Sequence, residues 1–237
     1  YNNEPYRRLL SIILAKIKST NSHIQSKGSD SEAEKDAYTN PQELLEDLRI
    51  IRKSVNTHDT AHGEGLLLDM IRLVKTCGFH LAALDMRQES SYHGEVIADI
   101  FASASNLPDY RTLSETERQQ WLTRLLEKPG APLIYTDNLS AQTHEQLALM
   151  NSVAKLRKLV GDDTFGSYVI SMTNNASQLL EVLLLMRFAG LSGIDKNGHL
   201  FSALPVAPLF ETIEDLKNID KIMPMVLDNP LYRELLE

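Results

Sequence analysis

Two ionic side chains stand where apolar runs of this sequence stop. Glu211 follows the run LPVAPLF, and Arg87 follows the run HLAALDM. Each run is short and nearly free of charge, which is typical of a strand in a parallel sheet that is buried on both faces. Because the carboxyl ends of parallel strands meet at one edge of a sheet, we expect Arg87 and Glu211 to share that edge.

The chemistry of these two groups is complementary. An arginine offers a fork of N–H donors to phosphate oxygens, and a single carboxylate together with substrate oxygens is a typical Mg²⁺ site. The pair therefore suits a phosphorylated substrate with a divalent metal. Either residue taken alone is also compatible with a solvated strand end or a structural ion pair, and the sequence has no Walker loop or GxGxxG motif to decide.

Helices must account for most of the remaining chain. Apolar residues recur at helical spacing in eight segments, and Gly78 and Gly190 stand where two of these helices should end. In the segment from 144 to 160 we expect a buried stripe at Leu149, Val153, Leu156 and Val160. The predicted helical segments are 5–20, 41–55, 66–78, 91–105, 115–128, 144–160, 177–190 and 213–227.

The strands alternate with helices, and the fold class follows from that order. Strands are predicted at 80–87, 167–172 and 204–211, as neighbours in a parallel sheet. We predict an α/β fold, predominantly helical, with about three parallel strands. Residues 1–76 should form a helical segment with a mobile loop near 26–40, and 77–237 the part that carries the strands.

Composition limits the class of protein. The 237 residues are 43% hydrophobic and 24% charged, which is typical of a folded chain. A formal net charge of −8 argues against nucleic acid as the main partner. The single Cys77 favours a reducing, cytoplasmic compartment, and no apolar stretch reaches the length of about 18 residues that a membrane span needs.

Two other candidate sites are weaker. The stretch HDTAH, from His58 to His62, could ligate zinc if both rings lay on one helix face, but the flanking glycines favour a solvated loop. Cys77 at a predicted helix end is more typical of a packed thiol than of a nucleophile.

Four segments carry a resemblance to a known family. EPYRRLL, HLAALDMRQESSYH, SYVISMTNNASQLLEVLLLMRFAGL and LPVAPLFETIEDLKN resemble core segments of phosphoenolpyruvate carboxylases, in the same order. Three signatures of that family do not occur here: TAHPTE with the catalytic histidine, SDSGKD with a second metal-binding acid, and the glycine-rich HGRGG. The resemblance therefore implies the middle of a longer protein, and the absence of a methionine before Tyr1 fits that expectation. It also implies that the parallel strands are part of a TIM barrel, with residues 77–237 as the partial barrel.

The resemblance implies a reaction and assigns residues to it. Members of the family convert phosphoenolpyruvate and bicarbonate to oxaloacetate and phosphate with Mg²⁺ or Mn²⁺, a carbon dioxide fixation that supplies the tricarboxylic acid cycle. Glu211 matches the metal-binding glutamate, Arg87 an arginine that binds the substrate phosphate, and Leu209 a residue of the apolar pocket around the substrate. The catalytic histidine has no counterpart here, so we expect the chain by itself to be inactive.

Some residues and alternatives stay open at this point. Asp85 and Gln88 flank Arg87 and could orient it or cap an element, and His93 could make structural hydrogen bonds at a helix start. The resemblance implies a homotetramer, and the composition predicts a cytoplasmic protein with no membrane or nucleic-acid partner. The alternatives are another metal-dependent barrel enzyme of phosphoenolpyruvate or pyruvate chemistry, and a non-catalytic helical interaction module in which Arg87 and Glu211 would have no shared role.

Overall fold

The computed structural model describes residues 4–27, 29, 31–58, 65–130, 134 and 136–236. The elements are α1 Pro5–Gln25, α2 Ser31–Asp36, α3 Pro41–His58, α4 Gly65–Cys77, β1 Leu84–Glu89, α5 Ser90–Ser103, α6 Glu115–Glu127, α7 Ala141–Val160, β2 Phe165–Ser171, α8 Ser177–Phe188, β3 Ser192–Ile194, β4 Leu200–Ser202, β5 Val206–Pro208, α9 Ile213–Asp228 and α10 Pro230–Leu236. This confirms a predominantly helical α/β fold. The chain divides into two compact units, one of residues up to 83 with 155–164, the other of 84–154 with 165 onward.

The first unit is held together by one side of α1, α3 and α4. Its buried residues include Leu44, Leu48 and Ile51, the stripe that helical spacing predicts for α3. The segment predicted as a loop contains α2, and its Tyr38 is buried: the backbone N–H bonds to Thr20 Oγ1 at 2.9 Å, and the ring hydroxyl to Asp47 Oδ2 at 2.8 Å. A single anchored aromatic ring therefore ties this polar segment to the core.

The second unit contains a three-stranded parallel sheet in the order β1-β2-β5. Arg87 pairs with Val169, which pairs with Ala207, and Met86 pairs in the same way with Tyr168 and Val206. Backbone bonds from Tyr168 N to Pro205 O and from Leu209 N to Ile170 O, both 2.8 Å, extend the β2 to β5 pairing beyond the three residues of β5. The prediction of three neighbouring parallel strands is confirmed.

The predicted burial of the first strand is wrong. β1 begins at Leu84 and not at residue 80, and Leu81 and Leu84 are 78% and 63% exposed. Backbone bonds from Leu81 N to Cys77 O and from Ala82 N to His80 O fold the first half of the apolar run into a turn after α4. In the described sheet β1 pairs with β2 alone, and its residues are more exposed than those of the central strand.

The predicted stripe on α7 is also wrong. Val153 is buried, but Leu149 and Leu156 are each 42% exposed, and the buried residues of α7 are Thr143, Gln146, Met150 and Val153. Gln146 is internal because its Nε2 donates to the Tyr168 hydroxyl at 3.2 Å. A hydrogen-bonded polar side chain thus occupies the buried face of α7. A prediction from the apolar residues alone chooses the neighbouring face as the buried one.

Helix α8 lies in the middle of the core. Every residue from Ser177 to Arg187 is buried, as the apolar circumference of the segment predicts. The helix is followed by Gly190 at φ 70, the left-handed conformation expected after a helix end.

Helix α8 contributes one carboxyl group, that of Glu181, to the core of the second unit. Glu181 is 1% exposed, and its Oε1 accepts a 2.6 Å hydrogen bond from the Tyr110 hydroxyl. Burial raises the pKa of Glu181 to about 7, although the Tyr110 hydrogen bond and the Arg118 charge both act to lower it. Glu181 is therefore a group that the fold keeps protonated well above the ordinary range of a carboxyl.

We expect Leu183→Ala to lower the free energy of unfolding by about 3 to 4 kcal/mol, because Leu183 is fully buried and the change leaves a cavity. Leu149→Ala makes the same chemical change at an exposed position of α7 and should cost less than about 1 kcal/mol. Urea unfolding of both variants measures the difference. Equal losses would contradict the assignment of the buried faces.

We also expect Glu181→Gln to remove a pH dependence of stability. The unfolded chain releases this proton near pH 4.5 and the folded chain near pH 7, so the folded state binds more protons between those values. The free energy of unfolding of the wild type relative to that of Glu181→Gln should therefore fall as pH rises from 4.5 to 7, by an amount on the order of 3 kcal/mol at most. Urea titrations of both proteins at several pH values measure this difference, in which the opposite contribution of His93, whose pKa burial lowers to about 4, cancels. A difference that stays constant over this range would refute the assignment.

Candidate functional site

The candidate site lies at the carboxyl edge of the sheet, where β1, β2 and β5 end side by side. Parallel pairing places Arg87, Val169 and Ala207 on one face of the sheet, and Met86, Tyr168 and Val206 on the other. Tyr168 is buried against the helices, so Arg87 projects from the face opposite to that packed layer. We call this edge, from Arg87 through Ser171 to Glu211, the rim.

Arg87 and Glu211 meet on the rim. Arg87 Nη2 donates to Glu211 Oε2 at 2.7 Å, although the two residues are 124 positions apart in the chain. The Arg87 side chain is 58% exposed and that of Glu211 34% exposed. Both groups are thus open to a ligand while they hold one another.

Arg87 has a second partner that sequence reasoning missed. Its Nε donates to Ser171 Oγ at 2.6 Å, and Ser171 is the last residue of the central strand β2. The available signal was a hydroxyl at the end of the apolar run SYVIS, the same kind of position that drew attention to Arg87 and Glu211.

The position of Glu211 is fixed from both directions along the chain. Before it, the Leu209 backbone N–H bonds to Ile170 O at 2.8 Å, and its carbonyl accepts from Thr173 N at 3.1 Å. After it, Thr212 caps α9: Thr212 Oγ1 accepts from Asp215 N, and Asp215 Oδ2 accepts from Thr212 N, both at 3.0 Å. The hydroxyl that follows the acid thus serves the helix, and the acid is presented at the rim.

Leu209 is half-buried beside the rim. Its backbone bonds to Ile170 and Thr173, two residues before Glu211 along the chain. Its assignment to an apolar substrate pocket stays a prediction.

The turn after β2 also borders the rim. Met172 has a φ of 53, a left-handed conformation that is uncommon for a residue with a side chain, and its carbonyl accepts a 2.8 Å bond from Ser90 Oγ at the start of α5. Left-handed non-glycine residues cluster at functional sites. Sequence reasoning did not single out Met172.

The residues that flank Arg87 form other bonds. Asp85 Oδ1 accepts from Ser167 N at 2.7 Å, and Gln88 Oε1 accepts from Glu89 N at 2.9 Å. His93 is fully buried, with Nε2 at 2.8 Å from the Tyr168 hydroxyl, and burial lowers the pKa of His93 to about 4. A neutral, hydrogen-bonded histidine in the core agrees with a structural role.

A metal-binding carboxylate at the rim agrees in part with the donors that are present. The described residues contain no group of three or more His, Cys, Asp or Glu side chains that could hold an ion by themselves. Glu211 supplies one carboxylate that is about one third exposed, and Mg²⁺ is commonly bound by one or two carboxylates with substrate oxygens and water. The rim therefore fits as one part of a Mg²⁺ or Mn²⁺ site.

His58 and Cys77, from the other two candidate sites, belong to the first compact unit. Of the stretch HDTAH, His58 ends α3, and residues 59–62 lie outside the described residues. Cys77 is half-buried at the end of α4. Among the helices that the structure describes, none has the length and apolar character to cross a membrane.

Comparison with known proteins identifies the family. The family model described as phosphoenolpyruvate carboxylase matches residues 1–237. The chain is similar to phosphoenolpyruvate carboxylases of Nitrosomonas europaea, at 32% identity over 99% of this chain, of Mycobacterium avium, at 36% over 98%, and of Prochlorococcus marinus subsp. pastoris, at 36% over 100%. In each case the matched region is 25% of the relative, so the chain spans about a quarter of the length of these curated proteins. On this evidence the chain belongs to the phosphoenolpyruvate carboxylase family.

Proposed function

We propose that this chain supplies one side of the active site of a phosphoenolpyruvate carboxylase, which converts phosphoenolpyruvate and bicarbonate to oxaloacetate and phosphate. The observation that carries the proposal is the 2.7 Å contact between Arg87 Nη2 and Glu211 Oε2 at the ends of parallel strands. A non-catalytic helical module gives these residues no shared role, and their contact at an open edge argues against that alternative.

The proposed role of Arg87 is to bind the phosphate of the substrate. A guanidinium has five N–H donors, of which the bond to Ser171 and the bond to Glu211 use two. The remaining donors can bind phosphate oxygens, and the exposed position gives a ligand access to them. Leu209, half-buried beside the rim, would contact the apolar end of the same substrate.

The proposed role of Glu211 is to hold a divalent cation. Its carboxylate is bound by Arg87 through Oε2 and remains one third exposed, so a cation can approach the carboxylate from the open side of the rim. Bound Mg²⁺ or Mn²⁺ would supply Lewis-acid stabilisation of the negative charge that develops on a substrate oxygen during carboxylation. Glu211 would hold the cation next to the substrate phosphate that Arg87 binds.

The remaining parts of the site would come from outside the sequence given. The segments that resemble TAHPTE, SDSGKD and HGRGG in the family are absent from it. We infer that the three parallel strands form part of a closed TIM barrel in a complete enzyme, and that the complete enzyme is a cytoplasmic homotetramer. The net charge of −8 supports small anionic substrates bound at a local basic group, with no nucleic-acid partner.

We expect the isolated chain of 237 residues to have no carboxylase activity. It lacks the histidine for proton transfer and the second metal-binding acid of the family, so Arg87 and Glu211 could bind ligands but the groups needed for the reaction would be missing. The measurement is oxaloacetate formation from phosphoenolpyruvate and bicarbonate with Mn²⁺, against a heat-treated sample. Activity of the pure chain above that control would contradict this prediction.

In a full-length protein that contains this chain, Glu211→Gln and Arg87→Ala should fail in different ways. The amide removes a charge from the proposed metal site, so the Mn²⁺ concentration for half-maximal rate should rise, and excess Mn²⁺ should restore part of the rate. Arg87→Ala should raise the requirement for phosphoenolpyruvate by a factor equivalent to about 1.5 to 3 kcal/mol, and excess metal should not rescue it.

The controls are the same substitutions at a surface ion pair. Arg111 Nη2 bonds to Glu95 Oε2 at 2.7 Å, and both side chains are more than half exposed. Arg111→Ala and Glu95→Gln should change neither saturation curve by more than about twofold, since exposed pairs contribute little. If Glu211→Gln leaves the metal dependence unchanged, or if both rim variants unfold, a purely structural ion pair is the better interpretation.

A further inference from the structure

Ser171 ends the central strand β2, between β1, which carries Arg87, and β5, which precedes Glu211. Ser171 is 8% exposed and pairs with Glu89 of β1. Its Oγ accepts from Arg87 Nε at 2.6 Å, which is a short contact for an N–H donor. Arg87 pairs with Val169, so its side chain leans along the strand direction to reach the hydroxyl two residues further on.

The two acceptors on Arg87 differ in what they do to its charge. Glu211 is an anion and offsets the guanidinium charge, whereas Ser171 is neutral and leaves that charge available to a phosphate. Glu211 follows β5 outside the regular strand, while Ser171 belongs to the central strand with a neighbour on each side. Ser171 is thus supported by strand pairing, whereas Glu211 lies between the end of β5 and the cap of α9.

These differences would matter if Glu211 held a cation. The bond from Arg87 to Glu211 would then be weaker, and the bond from Nε to Ser171 would restrict the motion of the guanidinium. The Nη donors remain free in a defined orientation, and preorganised donors bind an anion better than mobile ones do.

We propose that Ser171 is a positioning residue for Arg87, which holds the guanidinium in the orientation that binds the substrate phosphate; this inference rests on the proposed function of the rim. Ser171 itself does not touch the substrate in this proposal. It acts through Arg87 alone, so its effect must disappear when Arg87 is absent.

Ser90 provides a matched control at the same edge of the sheet. Ser90 is 4% exposed, and its Oγ donates to the Met172 carbonyl at 2.8 Å without bonding to Arg87. Ser90 follows Glu89, the residue of β1 that pairs with Ser171. Ser90→Ala thus removes a buried hydroxyl from the same part of the sheet edge. A general structural effect of a lost hydroxyl should appear in Ser90→Ala as in Ser171→Ala.

The first test is a double-mutant cycle in a full-length protein that contains this chain. Ser171→Ala should raise the KM for phosphoenolpyruvate about tenfold, since the lost bond involves a charged donor at a partly exposed site, with a smaller change in kcat. Ser171→Thr keeps a hydroxyl and should recover most of that loss. In the Arg87→Ala background, Ser171→Ala should have no further effect on KM, and an independent tenfold loss there would overturn the proposal.

The second test does not depend on activity. Phenylglyoxal modifies exposed arginines, and peptide mass spectrometry gives the rate at Arg87 separately from other arginines. Ser171→Ala should raise the modification rate of Arg87 severalfold, while Ser90→Ala should leave it at the wild-type value. An unchanged rate in Ser171→Ala would overturn the positioning role.

The two tests separate the two levels of inference. If the wild-type full-length protein forms no oxaloacetate but Ser171→Ala raises the modification rate of Arg87, the proposed function fails and the support of Arg87 by Ser171 stands. If the wild-type protein is active and the Ser171 and Arg87 effects simply multiply, the function stands and the positioning role fails.

Discussion

Parallel pairing of β2 with a neighbour on each side is the constraint on which the candidate site depends. β1 and β5 do not pair with one another, and each acquires its register from β2. That register places Arg87 level with Val169 and Ala207, and it brings a guanidinium, a hydroxyl and a carboxylate from distant parts of the chain to one edge. A shift of one residue would turn Arg87 toward the packed helices, where a charge is costly to bury.

The packed side of the sheet protects this register with buried polar bonds as well as with apolar contacts. Tyr168 on β2 bonds through its hydroxyl to His93 of α5 and accepts from Gln146 of α7. These hydrogen bonds join the central strand to two helices. Hydrogen bonds require a defined orientation of their partners, whereas hydrophobic contacts do not. The helical layer and the rim are thus coupled through opposite faces of one strand.

Sequence patterns predicted the parts of this structure that depend on local chemistry. The apolar circumference of α8, the glycine after it, and the chemically distinct ends of two apolar runs all follow from residue type and spacing. The parallel strand set and the meeting of Arg87 with Glu211 followed from those signals with one rule of sheet geometry. The roles of Arg87, Leu209 and Glu211 in substrate and metal binding came from the family resemblance, and they remain proposals.

Tertiary interactions explain what the sequence did not predict. The buried face of α7 depends on Gln146, whose partner Tyr168 is 22 residues away, and no window of hydrophobicity records that bond. Leu81 and Leu84 match the pattern of a buried strand, but Leu81 lies in the turn after α4 and Leu84 begins a strand with one neighbour in the described sheet, and neither fact is visible in the apolar run itself. The β3–β4 hairpin was missed although Asn197-Gly198 marks its turn, with Gly198 at φ 89, because its strands are only three residues long.

The central claim is that Arg87 and Glu211 serve one ligand site in which the anion and the cation lie next to one another. A crystal structure of the full-length protein with Mn²⁺ and a non-reactive phosphoenolpyruvate analogue tests it most directly, since anomalous scattering locates the manganese. We expect manganese at bonding distance from a Glu211 carboxylate oxygen and the analogue's phosphate in hydrogen-bonding contact with Arg87. Manganese bound elsewhere, or an Arg87 to Glu211 ion pair that persists unchanged with both ligands bound at another place, would contradict the claim.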